Sequence, residues 1–256
     1  MLWLINEGLF VVLALCVALL VIEFGFRLGR RQHASASEGL RSHLGTLQGA
    51  ILGLLALLLG FTLSMAVTRF EARKALVVEE ANAIGTAALR SEFLPPGNHT
   101  SARQLLADYA QARLDYFAAG VDPVRVSAAL STTQSLQDQL WAIAVANAVA
   151  DPHSVPATQF SASLNDLFDL DERRRAALEN HVPELVIWLL IGVTFVALAM
   201  IAYGLAIVDR RRHGSTYLFA LMIVLVLATI LDLDRPRRGL VQVGQGSMER
   251  VLQSLN

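Results

Sequence analysis

GTLQGAILGLLALLLGFTLSMAVTRFEARKALVVEEANAIGTAALR, residues Gly45 to Arg90, decides the fold of this chain. It opens as an apolar run long enough to span a bilayer and passes, with no proline between, into a charged amphipathic segment. A single helix is predicted to leave the membrane and continue into water. Small or polar residues recur along it at Gly45, Gly49, Gly53, Ala56, Gly60, Ser64, Thr68, Ala72, Ala75, Glu79, Asn82, Thr86 and Arg90. These steps of three and four, with fours dominating, exceed the helical repeat slightly, so neighbouring copies would wrap with a right-handed bias. Such a stripe either lets helix backbones approach closely or lines a water path.

Upstream, Leu2 to Phe26 form a first apolar run, followed by Arg27, Arg30 and Arg31 where a signal peptide would need small residues for cleavage. Residues 1–68 therefore hold two spans, joined by a basic, Ser/Ala-rich segment that reads as a loop. Residues 69–182 leave the membrane. Pro95-Pro96-Gly97-Asn98, then Gly120 with Asp122-Pro123, then Asp151-Pro152 cut this stretch into four helical pieces. Leu105, Leu106, Tyr109, Leu114 and Phe117 in the second piece, Leu136, Leu140, Ile143 and Ala144 in the third, and Phe160, Leu164, Leu167 and Phe168 in the fourth recur at helical spacing and are the candidate core. Residues 183–233 hold two further spans, and 234–256 form a tail ending in SMERVLQSL. The fold class is all-α: a polytopic membrane protein with four transmembrane helices and an extramembrane four-helix bundle between the second and third spans.

Composition supports this and excludes several functions. Hydrophobic residues make up 54% of 256 and charged residues 17%, clustered between apolar runs. A net charge of −1 supplies no basic surface for nucleic acid. Cys16 is the only cysteine, so no internal disulfide or cysteine-based metal site forms. The chain lacks a phosphate-cradling glycine loop, an HExxH pair, a GxSxG elbow and a CxxC. No enzyme, metal or cofactor is expected. Lys74 is the only lysine beside twenty arginines, a coding bias that points to a bacterial source.

Two polar groups stand out. Glu79, Asn82, Thr86 and Arg90 share one face, opposite Val77, Ala81, Ile84 and Ala88, which are predicted to face the bundle core. Repeated around an oligomer, that face forms a polar ring at the mouth of an ion path; in a single chain it is a solvated helix face, paired with neighbours such as Arg173 to Arg175. Asp232, Asp234 and Arg235 follow the last span as an acidic and basic interfacial motif, in which the carboxylates pair with Arg235 or Arg238. The short connections carry Arg27, Arg30, Arg31, Arg41 and Arg210 to Arg212, which places them in the cytoplasm and puts both termini and the helical domain on the periplasmic side.

LLGFTLSMAVTRFEARKALVVEEANAIGTAALRSEFLP (Leu58 to Pro95), the LND and DERRRAALENHVPEL segments (between Leu164 and Leu185) and LDLDRPRRGLVQV (Leu231 to Val243) resemble the bestrophin-like domain family of bacterial membrane proteins. The resemblance implies kinship with bestrophins, pentameric anion channels with four spans per subunit and a cytosolic helical domain. It thus implies a homo-oligomer that passes ions, although the short-loop charges orient the domain the other way. The acidic clasp of calcium-gated bestrophins has as its nearest counterpart Asp166, Asp169, Asp171 and Glu172, on a helix face. The rival reading is a sensor or scaffold, whose helical domain binds a ligand or an unidentified protein partner. Lipid bilayer and further copies of the chain are the expected partners.

Overall fold

The computed structural model describes residues 7–32, 38–208, 213–235, 237 and 239–256, and all the regular structure among them is helical. The helices are α1 (Glu7–Gln32), α2 (Glu38–Ser91), α3 (Pro96–Ala118), α4 (Pro123–Ala150), α5 (Val155–Glu179), α6 (Glu184–Ile207), α7 (His213–Leu233) and α8 (Gly246–Leu255). The proline-free stretch that opens the sequence reading is continuous helix, as expected. By length and composition, four stretches suffice to cross a membrane: Gly8–Gln32, Glu38–Ser91, Val155–Ile207 and Gly214–Leu233. The third is interrupted at 180–183, and its apolar run is α6. The chain divides into two units, Met1–Thr68 with His181–Arg235 and Arg69–Asn180 with Pro236–Asn256.

In the first unit α1 lies along α6 and, less extensively, along α7. Two glycines permit the close approach. A Cβ on Gly25 would collide with the carbonyl oxygen of Ala199, and one on Gly29 would come 2.5 Å from the carbonyl oxygen of Tyr203 and 2.8 Å from the Ala206 methyl. Backbone therefore packs on backbone, the arrangement that small residues at four-residue spacing allow in lipid. Tyr203 donates its hydroxyl to Gln32 Oε1 at 2.5 Å. Leu55 brings α2 into the same core with Ile22, Leu190 and Leu198, and Gln48 Nε2 donates to the Met200 carbonyl at 2.6 Å.

The basic segment expected as a loop is largely helical: α1 continues to Gln32 and α2 starts at Glu38, so Arg27, Arg30, Arg31 and Arg41 sit on helices. Arginines in a last helical turn complement the negative end of the helix dipole, and Arg27 Nε bonds Glu23 Oε1 at 2.6 Å. Arg210 to Arg212 and Arg238 lie outside the described residues.

In the second unit the breakers act where the sequence places them. Asp122 caps α4, accepting from Val124 N at 3.0 Å and Arg125 N at 3.3 Å, and Ser154 caps α5. Gly120 follows the end of α3 with φ 58°, a left-handed conformation that costs glycine nothing. α3 packs on α4 and α4 on α5, around Ile84, Leu106, Tyr109, Leu140, Phe160, Leu164 and Leu167. The tail joins this core. Arg237 donates to the Tyr116 hydroxyl at 2.8 Å and the Gly120 carbonyl at 3.2 Å. Met248 and Leu255 of α8 are buried, and Arg103 bonds the carbonyls of Ser254 and Leu255 at 2.7 and 3.1 Å. The final segment thus runs along α3 from its C-terminal end towards its N-terminal end.

Gly25→Val should lower the thermal midpoint of the detergent-solubilised protein, at a cost of about 1–3 kcal/mol for overpacking a tight contact. Gly214→Val, at a helix position with open space around it, should leave the midpoint nearly unchanged; near-UV circular dichroism on heating compares the two.

Candidate functional site

The second unit holds a cluster of charges shut away from water. Glu80 on α2 follows Val77 by three residues and precedes Ile84 by four, so helical geometry turns it inward with them. Arg113 on α3 continues the buried series Leu106 and Tyr109, and Asp171 and Arg174 on α5 continue Leu164 and Leu167. Glu80 Oε1 accepts from Arg113 Nε at 2.7 Å and from the Tyr109 hydroxyl at 3.1 Å; Glu80 Oε2 accepts from Arg174 Nη1 at 2.5 Å. Arg113 Nη1 lies 2.8 Å from Asp171 Oδ1, an ion pair by distance without the angle of a directed hydrogen bond. Gln137 of α4 and Arg175 donate to Asp171 Oδ2 at 3.0 and 3.1 Å, and Arg174 Nη2 donates to Gln245 Oε1 at 2.6 Å.

Glu80 and Arg113 have no exposed side-chain surface, and Asp171 has 1%. Two carboxylates face the two guanidiniums of Arg113 and Arg174, so the interior carries paired rather than net charge, although Arg113 Nη1 and Nη2 make no directed hydrogen bond. Burial, with the Glu80 carboxylate next in weight, raises the Tyr109 phenol well above its ordinary value, so it stays a donor. Burial works against the charge on Arg113, but Glu80 foremost among its neighbours outweighs this and holds the guanidinium above its usual value. Arg113 also lies over the Tyr116 ring, 5.1 Å from its centre, with Arg237 at 4.5 Å. The cluster provides no exposed acid, base or nucleophile, and among the described residues no group of three His, Cys, Asp or Glu side chains is placed to hold a metal ion.

The residues singled out by sequence lie elsewhere. In the first unit Gly45, Gly49, Gly53, Gly60, Ser64 and Thr68 are all exposed, and nothing lies within 4 Å of a Cβ built on any of the four glycines. The Thr68 hydroxyl returns to the Ser64 carbonyl at 2.9 Å. In the second unit Glu79, Asn82 and Thr86 are exposed and Arg90 is half-buried, its Nη1 donating to the Gln159 carbonyl at 3.1 Å. Val77, Ala81, Ile84 and Ala88 are buried, as the pattern predicts. Arg174 and Arg175, expected beside Glu79, pair instead with Glu80 and with Asp171 and Glu172. Asp171, expected on an exposed acidic face, is buried. Asp232, Asp234 and Arg235 are buried in the first unit; Asp234 Oδ2 accepts from Val182 N at 3.0 Å and lies 3.3 Å from His181 Nδ1.

The profile of the bestrophin-like domain family matches residues 10–248. No curated protein matches the sequence. Among solved structures, a mutant bacterial bestrophin homologue from Klebsiella pneumoniae matches with a TM-score of 0.67 at 14% identity, over 96% of each chain. A second mutant of a Klebsiella pneumoniae homologue gives 0.66 at 15%, over 96% of this chain and 98% of that one. A structure described as a membrane protein gives 0.66 at 16%, over 96% and 97%. The chain thus shares an all-helical fold with these proteins.

Arg113→Met should cost about 3–5 kcal/mol, because it strands buried carboxylates rather than merely deleting a contact. Glu80→Gln combined with Arg113→Met should cost less than the sum of the single changes, and thermal unfolding of the three full-length variants measures the difference as a coupling energy.

Proposed function

Since the chain belongs to the bestrophin-like domain family, we propose that it is a multi-pass protein of the bacterial inner membrane that assembles as a homo-oligomer and passes ions. The open face of α2 carries this reading. A spanning helix whose glycine, serine and threonine stripe is exposed, with no described atom within 4 Å of a Cβ built on its glycines, is completed by copies of itself, which bring backbones together and leave the stripe towards a water path. In this assembly α1, the apolar part of α2, α6 and α7 are the four spans, and the intervening helical bundle lies outside the bilayer. Catalysis, a cofactor and nucleic acid have no part in it. The arginines at 27–41 and 210–212 support, by the positive-inside rule, a periplasmic bundle and periplasmic termini.

A ring of Glu79 carboxylates at the mouth attracts cations and repels anions, with a potential that grows with the number of copies. Anion passage requires those charges to face away or be offset by Arg90. Glu80 is not a usable comparison for Glu79, because it is locked into the buried cluster; exposed Asp166 on α5 is.

In reconstituted bilayers under a salt gradient, Glu79→Lys should move the reversal potential and Asp166→Lys should not. Gly49→Leu should reduce both the detergent-solubilised particle size and the current. Selectivity indifferent to Glu79 would move the pore off this face. A protein that conducts under no voltage, pH or divalent-ion condition would give way to the sensor or scaffold, with the helical domain binding a ligand or partner protein.

Orientation is read separately, in a Cys16→Ser background. A cysteine replacing exposed Ser131 should react with an impermeant maleimide in cells with a permeabilised outer membrane, and one replacing exposed Ser42 should not. The reverse pattern places the bundle in the cytoplasm.

A further inference from the structure

Between the start of α2 and the end of α6, within the first unit, lies a groove of about 330 Å³, a volume within the range of small-molecule sites. Glycine makes it. Gly45 leaves open space on the α2 side, while Gly204 on α6 accommodates the Gln48 amide, which any Cβ there would strike. Leu44, Ile201 and Leu205 supply apolar walls, and among the described residues of the lining Arg41 is the charged one. No described carboxylate forms an ion pair with Arg41, although Glu38 lies one turn before it. The same end of the unit carries exposed Arg30 and Arg31 on α1, because Gln32 of α1 bonds Tyr203 of α6 beside the groove.

Apolar walls beside the Arg41 guanidinium, at the arginine-rich end of helices apolar enough to span a bilayer, match one kind of occupant. We propose that this groove binds an anionic phospholipid, with an acyl chain against Leu44, Ile201 and Leu205 and the headgroup phosphate at Arg41. Basic pockets between membrane helices are where such headgroups are captured, and Arg41 favours a headgroup of net negative charge over one whose phosphate is already offset by its own cation. The site rests on the membrane assignment and not on ion passage. Gly45, at one end of the α2 stripe, lines this groove, and as at Gly49 and Gly53 no described atom lies within 4 Å of a Cβ built there.

Native mass spectrometry of the purified full-length oligomer, titrated with phosphatidylglycerol or phosphatidylcholine in detergent, tests it. The wild type should retain phosphatidylglycerol in preference to phosphatidylcholine, and Arg41→Gln should weaken phosphatidylglycerol retention about fivefold, the loss expected of one charge contact at an anionic surface. Leu205→Trp should lower retention of both lipids by filling the groove, with Gly45→Leu as a second filling variant in case the first misfolds. Equal retention of the two lipids by the wild type, or wild-type retention by a filled variant that keeps its oligomeric mass, overturns the proposal. So does a thermal shift produced by inorganic phosphate alone as large as that from phosphatidylglycerol, which identifies an ion site rather than a lipid site. Conductance enters none of these readouts, so a chain that passes no ions could still bind lipid here, and a conducting one could fail to.

Discussion

Glu80 carries its carboxylate to a place where no water reaches and survives there because two guanidiniums and a phenol converge on it. Those partners come from different helices: Arg113 and Tyr109 from α3, Arg174 from α5. Asp171 then draws in Gln137 of α4, and Gln245 ties in the segment before α8. Much of the interface that α3 buries is alanine, at Ala102, Ala107, Ala110 and Ala112. Alanine surfaces allow close packing but distinguish poorly between one register and the next. A directional network of charges supplies that distinction, because a helix shifted by a turn would leave a buried carboxylate without its guanidinium. Its net worth in stability is small beside the penalty for breaking it.

Helical periodicity and breakers made most of the fold legible. Pro96, Gly120, Asp122-Pro123 and Pro183 mark helix ends because their backbone chemistry acts locally, whatever packs around them. The core positions Leu106, Leu140, Phe160 and Leu164 were legible for the same reason. The charge cluster was not, although the signal existed. Glu80 keeps step with Val77 and Ile84, Arg113 with Tyr109, and Asp171 and Arg174 with Leu167, so each continues an apolar series. Periodicity says that such a residue faces inward; it cannot say that carboxylates on two helices meet guanidiniums on two helices, which depends on register between elements distant in the chain. With Glu79 beside Glu80, the eye follows the solvated member of the pair. The packing of the tail is hidden likewise, since nothing local in SMERVLQSL announces that Met248 belongs to the core of a domain whose main part, residues 69–180, precedes α6 and α7 in the chain.

The glycines divide by what lies opposite. Gly25 and Gly29 hold α1 against α6 within one chain, at the same four-residue spacing as the longer series on α2. At Gly49, Gly53 and Gly60 no described atom lies within 4 Å of a Cβ built there. One motif thus occurs twice with different outcomes: where the partner helix is intramolecular the contact is already made, and where it is absent from the chain the face remains open for another copy. The sequence shows the capacity for close approach in both; only the structure shows which is satisfied.

The order in which the second unit is built follows from the place of α8. Its core residues Met248 and Leu255 and the Gln245 that closes the charge cluster are encoded after α6 and α7. While the ribosome is still delivering those two apolar helices, α2 to α5 already exist but lack the pieces that complete their interior. Arg174 then has no Gln245 to bond, and the cavity meant for Met248 stands open. Completion of this unit is therefore a late event in biosynthesis, and a chain stalled after α7 would present a wet, partly charged core to whatever chaperones or proteases survey that compartment.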